Sequence, residues 1–376
     1  MKARVLIKGD SLNAEGCSRQ ENHKVASPTR APFVAEHHVR HAEVGDKIAA
    51  GSMRRVLLLY NPASGIRKER RRADVEAVTK VLRDAGVEVR GNVSGGPEAT
   101  LQQVRQAISE RVDTVLACGG DGTINDVLQG LVGSRVALGV IPVGTANTLA
   151  HDIGLPLHPV KAARALLSAV PLRLAAGQVD YRAFDGKTVR RYFTVAVGVG
   201  VDAHLFYKLN AAVKSRMGMT AYYAKATRLW LTHKMLFFDA EYVDAATDKT
   251  FTTTVSELLA VRITKFGGIL REFAPGASLK REDHRLVLFK TGSRLLYLAY
   301  IARGLFGARW SVPKVELRTS RRISCRSVEL NPSKAERIFV EADGELVGTV
   351  PAEISVVPDA FTLLVPSAFA GINDGA

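Results

Sequence analysis

The sequence predicts an α/β chain in two parts: an α/β domain around a parallel sheet, then a mainly antiparallel, β-sandwich-like domain. Three observations carry that reading. At 376 residues the chain is longer than one hydrophobic core usually fills. From residue 53 to about residue 175, short apolar β-rich runs alternate with amphipathic stretches, as in strand–helix units. Beyond that point polar and apolar residues alternate with the short period of antiparallel strands. The expected division is a poorly structured extension over 1–52, an α/β domain over 53–175, which a C-terminal segment over 358–370 could join, and a β-rich domain over 176–357.

The extension lacks a continuous apolar segment behind a basic start, so it does not resemble a secretory signal. Met53-Arg54-Arg55 leads directly into the first strand candidate, Val56 to Tyr60. Val87 to Arg90, Thr114 to Cys118 and Ala137 to Ile141 follow as further strands. Between them, Asp74 to Ala85 and Ala99 to Glu110 place apolar residues at helical spacing, and Gly86 closes the first of these helices. In the second half, Tyr192 to Val199, Thr252 to Ile263, Leu286 to Lys290 and Arg337 to Val340 read as strands. One helix is expected over Met219 to His233. The most apolar stretch, Leu295 to Ile301, is flanked by Arg294 and Arg303 and suits a buried or interfacial helix better than a span, with a core helix the first expectation. Phe361 to Val365 is a last short strand that could return to either domain.

Composition narrows the class. With 47% hydrophobic and 24% charged residues the chain is globular, and no apolar run reaches the roughly 18 residues a membrane span needs. Cys17, Cys118 and Cys325 are far apart and form no CxxC pair, which points away from a disulfide framework or zinc site and toward a reducing cytoplasm. Of the net charge of +15, residues 161–376 carry +11. A basic half attracts polyanions, either nucleic acid or an anionic membrane surface. No helix-turn-helix, zinc-finger or RNP pattern accompanies the charge, so nucleic acid is not expected as a partner.

Three glycine-containing turns each follow an expected strand and lead toward an expected helix: Asn61-Pro62-Ala63-Ser64-Gly65, Gly119-Gly120-Asp121-Gly122-Thr123 and Pro142-Val143-Gly144-Thr145-Ala146-Asn147. Glycine lets backbone approach an anion, and the following helix N-terminus offers unpaired N–H groups. A single such turn is more often an ordinary connection. Three at the carboxyl edge of one parallel sheet argue for a phosphate site. None matches a GxxxxGK[ST] loop or a GxGxxG fingerprint. Asp121, between two glycines, is placed to hold Mg²⁺ or order its waters. The basic run Arg67 to Arg72 reads best as a solvated helix face, and Asp343-Gly344 between strand-like runs reads as a hairpin turn.

In this order and spacing the three turns, with the second extended through Ile124-Asn125-Asp126, resemble the diacylglycerol kinase catalytic family, which includes bacterial lipid kinases, sphingosine kinases and ceramide kinases. The likeness runs from about residue 54 to about residue 366. It implies an ATP-dependent lipid kinase, with ATP and Mg²⁺ lying across Asn61 to Gly65, Gly119 to Asp126, Gly144, Thr145 and Asn147. Ser94 sits where the family often has a nucleotide-contacting Thr. Thr148 replaces an Asp that commonly follows the GTxN element, and helix capping is the alternative role for Asn147. Asp343-Gly344-Glu345 resembles the family's DGE, which assigns Glu345 as general base and Asp343 as its alternate or positioning partner. Bacterial members often carry a structural Mg²⁺ on an Asp-Gly loop, whose nearest counterpart here is Asp283, with His284 in place of the glycine.

The partners implied are ATP, a membrane lipid substrate and an anionic membrane surface on which a cytoplasmic protein docks peripherally; a homodimer stays open. Diacylglycerol-like and sphingoid or ceramide-like acceptors fit equally, in lipid metabolism and phospholipid biosynthesis. The alternatives are an NAD kinase-type enzyme, which shares a related GGDGT loop, and a nucleotide-binding regulatory protein without catalysis.

Overall fold

The four-residue run Val56-Leu57-Leu58-Leu59 has no polar face, and a strand that is apolar on both sides belongs in the middle of a covered sheet. In the computed structural model, which describes residues 53–62, 70–201, 234–265, 273–308, 310–328 and 337–371, that run lies fully buried in β1 (Arg55–Tyr60). Strands β2 (Glu88–Val93), β3 (Thr114–Gly119) and β4 (Ala137–Pro142) complete a parallel array in the order β2-β1-β3-β4. Helices α1 (Arg71–Asp84), α2 (Pro97–Ser109), α3 (Asp121–Leu131), α4 (Thr148–Asp152) and α5 (Pro159–Leu167) intervene or follow. Val78 and Leu82 of α1, and Val104 and Ala107 of α2, bury their helical faces at the expected spacing. Gly86 adopts φ +82° just beyond α1, the left-handed conformation that ends helices.

The remaining strands extend the same sheet in antiparallel fashion. They are β5 (Val170–Arg182), β6 (Thr188–Phe193), β7 (Ala196–Gly200), β8 (Phe238–Asp244), β9 (Thr250–Val255), β10 (Glu257–Val261), β11 (His284–Phe289), β12 (Val315–Ser327), β13 (Phe339–Ala342) and β14 (Glu345–Val365). The order runs β4-β14-β13-β7-β10-β11-β12-β8-β9, with β5 pairing β14 and β6. Additional β12–β14 pairing closes the second half into a sandwich-like body. Its interior holds Phe193, Phe238, Leu258, Leu288, Ile323 and Ile354, all buried. The fold is therefore α/β with a mixed sheet and a C-terminal β-sandwich-like domain.

Strand β14 is the element that joins the halves. Its first residues form a hairpin with β13, its middle pairs β5 and β12, and its end, at Thr362 and Leu363, pairs parallel with Ala137 and Leu138 of β4. The chain thus returns to the parallel array through one long strand.

Three expectations are corrected. The run Tyr192 to Val199 is two strands, because the chain breaks at Thr194-Val195 and turns backbone amides toward a carboxylate. The run Thr252 to Ile263 is also two, interrupted at Ser256, whose amide donates to the Phe289 carbonyl. Leu295 to Ile301 lies in helix α6 (Arg294–Leu305), but only Tyr297, Tyr300, Arg303 and Gly304 are buried there; Leu295 and Leu298 face outward. A last turn, α7 (Ser367–Ala370), follows β14. The extension over 1–52, loop residues Ala63, Ser64 and Gly65, and the helix expected over 219–233 lie outside the described residues.

Candidate active site

Register places the glycine turns together. Tyr60 pairs with Val93 and with Cys118, and Cys118 pairs with Ile141, so one row across the sheet ends β1 to β4. Asn61-Pro62, Ser94, Gly119 to Asp121 and Val143 to Asn147 therefore leave from a common carboxyl edge. The Ser94 amide donates to the Tyr60 carbonyl at 2.9 Å, beside Asn61, and the Val143 amide donates to the Gly119 carbonyl at 3.1 Å. Thr145 is exposed at the rim.

The second and third turns touch through backbone. A Cβ on Gly144 would lie 2.4 Å from the Gly120 Cα, a separation no side chain tolerates. Asp121 fastens the pair: its carboxylate accepts from the Thr148 amide at 2.8 Å and from the Thr148 hydroxyl at 3.3 Å. It thereby caps α4 from a different loop. Asn147, at the N-cap position with φ +48°, makes no capping bond; its Oδ1 accepts from the Gly144 amide at 2.8 Å and its Nδ2 donates to the Gly144 carbonyl at 3.1 Å, bracing the turn. Burial raises the Asp121 pKa, while the Thr148 and Leu149 amides oppose the shift.

Arg71 adds a further tie. It belongs to the basic run expected as a solvated face, yet it is buried and donates to the Val143 carbonyl at 2.7 Å, while its neighbour Arg72 is exposed and pairs with Glu76 at 3.1 Å. The first residues of α1 thus hold the third turn.

The DGE segment arrives from the other half on the β13–β14 hairpin. Ala342 pairs with Glu345, leaving a two-residue loop in which Asp343 (φ +48°) and Gly344 (φ +81°) are both left-handed, as a type I′ turn requires. Asp343 accepts from the amides of Thr194 (3.0 Å), Val195 (2.9 Å) and Ala196 (3.1 Å) and from Asn125 Nδ2 (2.9 Å). Burial raises its pKa against those four donors. A carboxylate with its acceptor sites filled in this way is a staple between α3, the β6–β7 break and the hairpin tip.

Glu345 stands apart from that staple. It is exposed, its Oε1 lies so close to Gly122 that a Cβ there would approach it to 2.7 Å, and its Oε2 accepts from Arg191 at 2.6 Å. Arg191 also donates to Asn125 Oδ1 at 3.0 Å. Gln129 links Asn125 to β6 by donating to the Tyr192 carbonyl (2.9 Å) and accepting from its amide (2.9 Å). Asp126, one turn along α3 from Gly122, is pushed up to about 6 by burial and by the Glu345 charge, with Arg191 opposing. A carboxylate pair beside one guanidinium and a helix N-terminus can carry a proton and hold an anion.

Sequence reasoning missed Arg191, Gln129 and the three amides at 194–196; it marked Thr148 only as a departure from the family pattern. Nothing local marks the missed groups. Arg191 stands beside Arg190 in an alternating strand, and only the fold aims one at Asn125 and the other at Asp180.

The cation sites test differently. Among the described residues no three His, Cys, Asp or Glu side chains are grouped to hold a metal ion. An ion carried by a triphosphate needs only one or two carboxylates; Asp126 and Glu345 are close enough for the Glu345 charge to raise the Asp126 pKa, and Asp121, engaged by Thr148, opens α3, so the residues fit Mg²⁺ in that form. They do not fit a structural ion at Asp283. Its carboxylate is held side-on by Arg281, through Nε at 2.6 Å and through NH2. His284 is buried with its pKa lowered to about 3, and stacks on Phe193. The positive charge is already present. Arg262, 0% exposed, donates to the carbonyls of Ala175 (2.9 Å) and Arg281 (3.1 Å), with longer bonds to Leu279 and Asp283, and burial lowers its pKa to about 10.

Comparison with known proteins agrees with this arrangement. Residues 55–179 match the diacylglycerol kinase catalytic domain, and residues 195–365 match the YegS C-terminal NAD kinase beta sandwich-like domain. A diacylglycerol kinase of Bacillus subtilis is 28% identical over 304 residues, 80% of this chain and 93% of its own. One of Mycobacterium tuberculosis is 26% identical over 325 residues, 85% of this chain and 99% of its own. Among solved structures, a putative diacylglycerol kinase of Bacillus anthracis superposes with a TM-score of 0.67 at 18% identity, covering 86% of this chain and 100% of that one, which shows the shared fold. With both halves matched in order, and with the glycine turns and the DGE hairpin meeting at one edge, the chain belongs to the diacylglycerol kinase catalytic family of lipid kinases.

Proposed function

We propose that this protein transfers the γ-phosphate of Mg-ATP to the hydroxyl of a diacylglycerol-like membrane lipid. The observation that carries the proposal is the contact between Glu345 and Gly122, which sets a proton acceptor from the β-rich half against the phosphate turn of the α/β half. In this reading ATP lies along Asn61 to Gly65, Ser94, Gly119 to Asp126, Gly144, Thr145 and Asn147. The α3 N-terminus faces its phosphates, and Mg²⁺ rides on the triphosphate to offset its charge. The acceptor hydroxyl oxygen attacks the γ-phosphorus, its proton passes to Glu345, and the bond from that phosphorus to the bridging oxygen breaks as ADP leaves. Asp343 positions the hairpin instead of acting as an alternate base, because its acceptor sites are filled. Asp121 orders the turns through Thr148.

The division of labour follows the chain: 53–175 with 358–370 binds nucleotide, and 176–357 presents the lipid and the DGE hairpin. Diacylglycerol is favoured over a sphingoid or ceramide acceptor by the names of the relatives, and its phosphorylation would feed phospholipid synthesis. The protein works at the surface of an anionic membrane.

Incubation with labelled ATP, Mg²⁺ and vesicles containing in turn diacylglycerol, sphingosine, ceramide or phosphatidylglycerol tests this directly. Label in phosphatidate is expected. No labelled lipid anywhere in the panel would sink the proposal, and conversion of NAD to NADP would favour the NAD kinase-type alternative.

A further inference from the structure

Six of the thirteen large hydrophobic side chains exposed among the described residues fall within sixteen positions: Leu295, Leu298, Ile301, Leu305, Phe306 and Trp310. Leu295, Leu298 and Leu305 share one face of α6, and Phe306 continues past its end at 80% exposure. The opposite face is firmly seated. Tyr297 and Tyr300 are buried, Tyr297 stacks on Phe289, the Tyr300 hydroxyl donates to the Phe273 carbonyl at 2.6 Å, and the Tyr297 and Ser256 hydroxyls lie 2.8 Å apart. Helix α6 is therefore rigidly mounted and displays leucines outward. Scattered exposed leucines need no explanation, but a row of them on a seated helix does.

Charge indicates what meets that row. From His284 to Val315 there is not one Asp or Glu, while Arg285, Lys290, Arg294, Arg303, Arg309 and Lys314 are all present; Arg303 is buried and Lys290 pairs with Glu316, whereas Arg294 is half-exposed at the start of α6 and Lys314 is exposed beyond its end. An apolar stripe on a stretch of chain that carries cations and no acid complements an anionic bilayer, where acyl chains accept the leucines and headgroups attract the cations. A twelve-residue helix is too short to span and suits lying flat in the interface. Trp310, half-exposed just beyond, is the amphipathic ring favoured at that depth.

We infer that the outer face of α6, continued by Phe306 and Trp310, is the element that docks this protein on an anionic membrane. This rests on the lipid-kinase reading for its purpose but not for its test. Sedimentation with vesicles of phosphatidylcholine and phosphatidylglycerol is compared for the full chain and for Leu298→Glu/Phe306→Glu. The variant should bind roughly tenfold or more weakly, as expected for replacing two inserted apolar side chains by charges. In a Trp230→Phe background, Trp310 fluorescence should shift to the blue on vesicle addition. Phosphorylation of lipid in vesicles should fall in parallel, while a short-chain diacylglycerol dispersed in water is turned over within about twofold of the parent rate, since the glycine turns and hairpin are untouched. Equal vesicle binding by variant and parent overturns the inference, whatever the activity. So does a concentration-dependent dimer of the parent, in free solution, that the variant abolishes, because a second copy would then cover the stripe. Loss of activity on both lipid forms by the parent itself would count against the kinase reading alone.

Discussion

Glu345 and Asp343 stand two residues apart on one hairpin and carry different burdens. Glu345 is held by one strong bond from Arg191 and faces Gly122, so Glu345→Gln keeps the shape and removes the proton acceptor. Its kcat should fall by roughly 10²- to 10⁴-fold with the urea midpoint unchanged. Asp343→Ala leaves three backbone amides and Asn125 without their acceptor, and should cost about 2–4 kcal/mol of stability as well as activity, read from urea unfolding. Asp126 gives a pH signature. Its native pKa, pushed up to about 6, lies above the ordinary carboxylate value, so the native state binds the extra proton between those values. Stability from this group is present at acid pH and is lost as pH rises through about 6. Asp126→Asn should remove that slope, measured as the urea midpoint between pH 4 and pH 8, and should be the more stable form at the alkaline end.

The elements explain why those side chains meet. Helix α3 begins at the second glycine turn and carries Asn125, Asp126 and Gln129 beyond it, so one helix start serves that turn, the Asp343 staple and the link to β6. The close approach of the second and third turns makes a sharp prediction. Gly144→Ala drives a methyl to 2.4 Å from the Gly120 Cα and 2.9 Å from Asn147 Oδ1, and the backbone atom cannot swing aside. Spreading the turns should cost about 1–3 kcal/mol and weaken ATP binding at least tenfold by calorimetry, because the Asp121–Thr148 tie is strained as well. By contrast, Gly86→Ala, in open space with φ +82°, should cost only about 1 kcal/mol and leave ATP binding unaltered.

For the whole molecule, one continuous sheet with β14 threading both halves makes the site depend on long-range pairing. Arg262 occupies the position between β5 and the 279–283 loop with a covalently attached cation, so chelators should leave the melting temperature of the ligand-free protein unchanged, while Arg262→Met should lower stability by about 3 kcal/mol or more by orphaning buried carbonyls. A melting temperature that drops on chelation would show instead that a metal ion contributes there. The sequence by itself determined the fold class, the four parallel strands, the second and third glycine turns and the family, because two-sided apolar runs, helical spacing and glycine–aspartate turns are local signals. It also singled out Glu345 as the candidate proton acceptor, through a three-residue likeness. Only the tertiary structure decided that Asp343 is a staple, that Asp121 caps a helix in another loop, that Arg191 answers Glu345, and that the leucines of α6 face outward. Those outcomes depend on which groups the folded sheet brings within about 3 Å of one another, and a hydrogen bond's reach is set by space, not by distance along the chain.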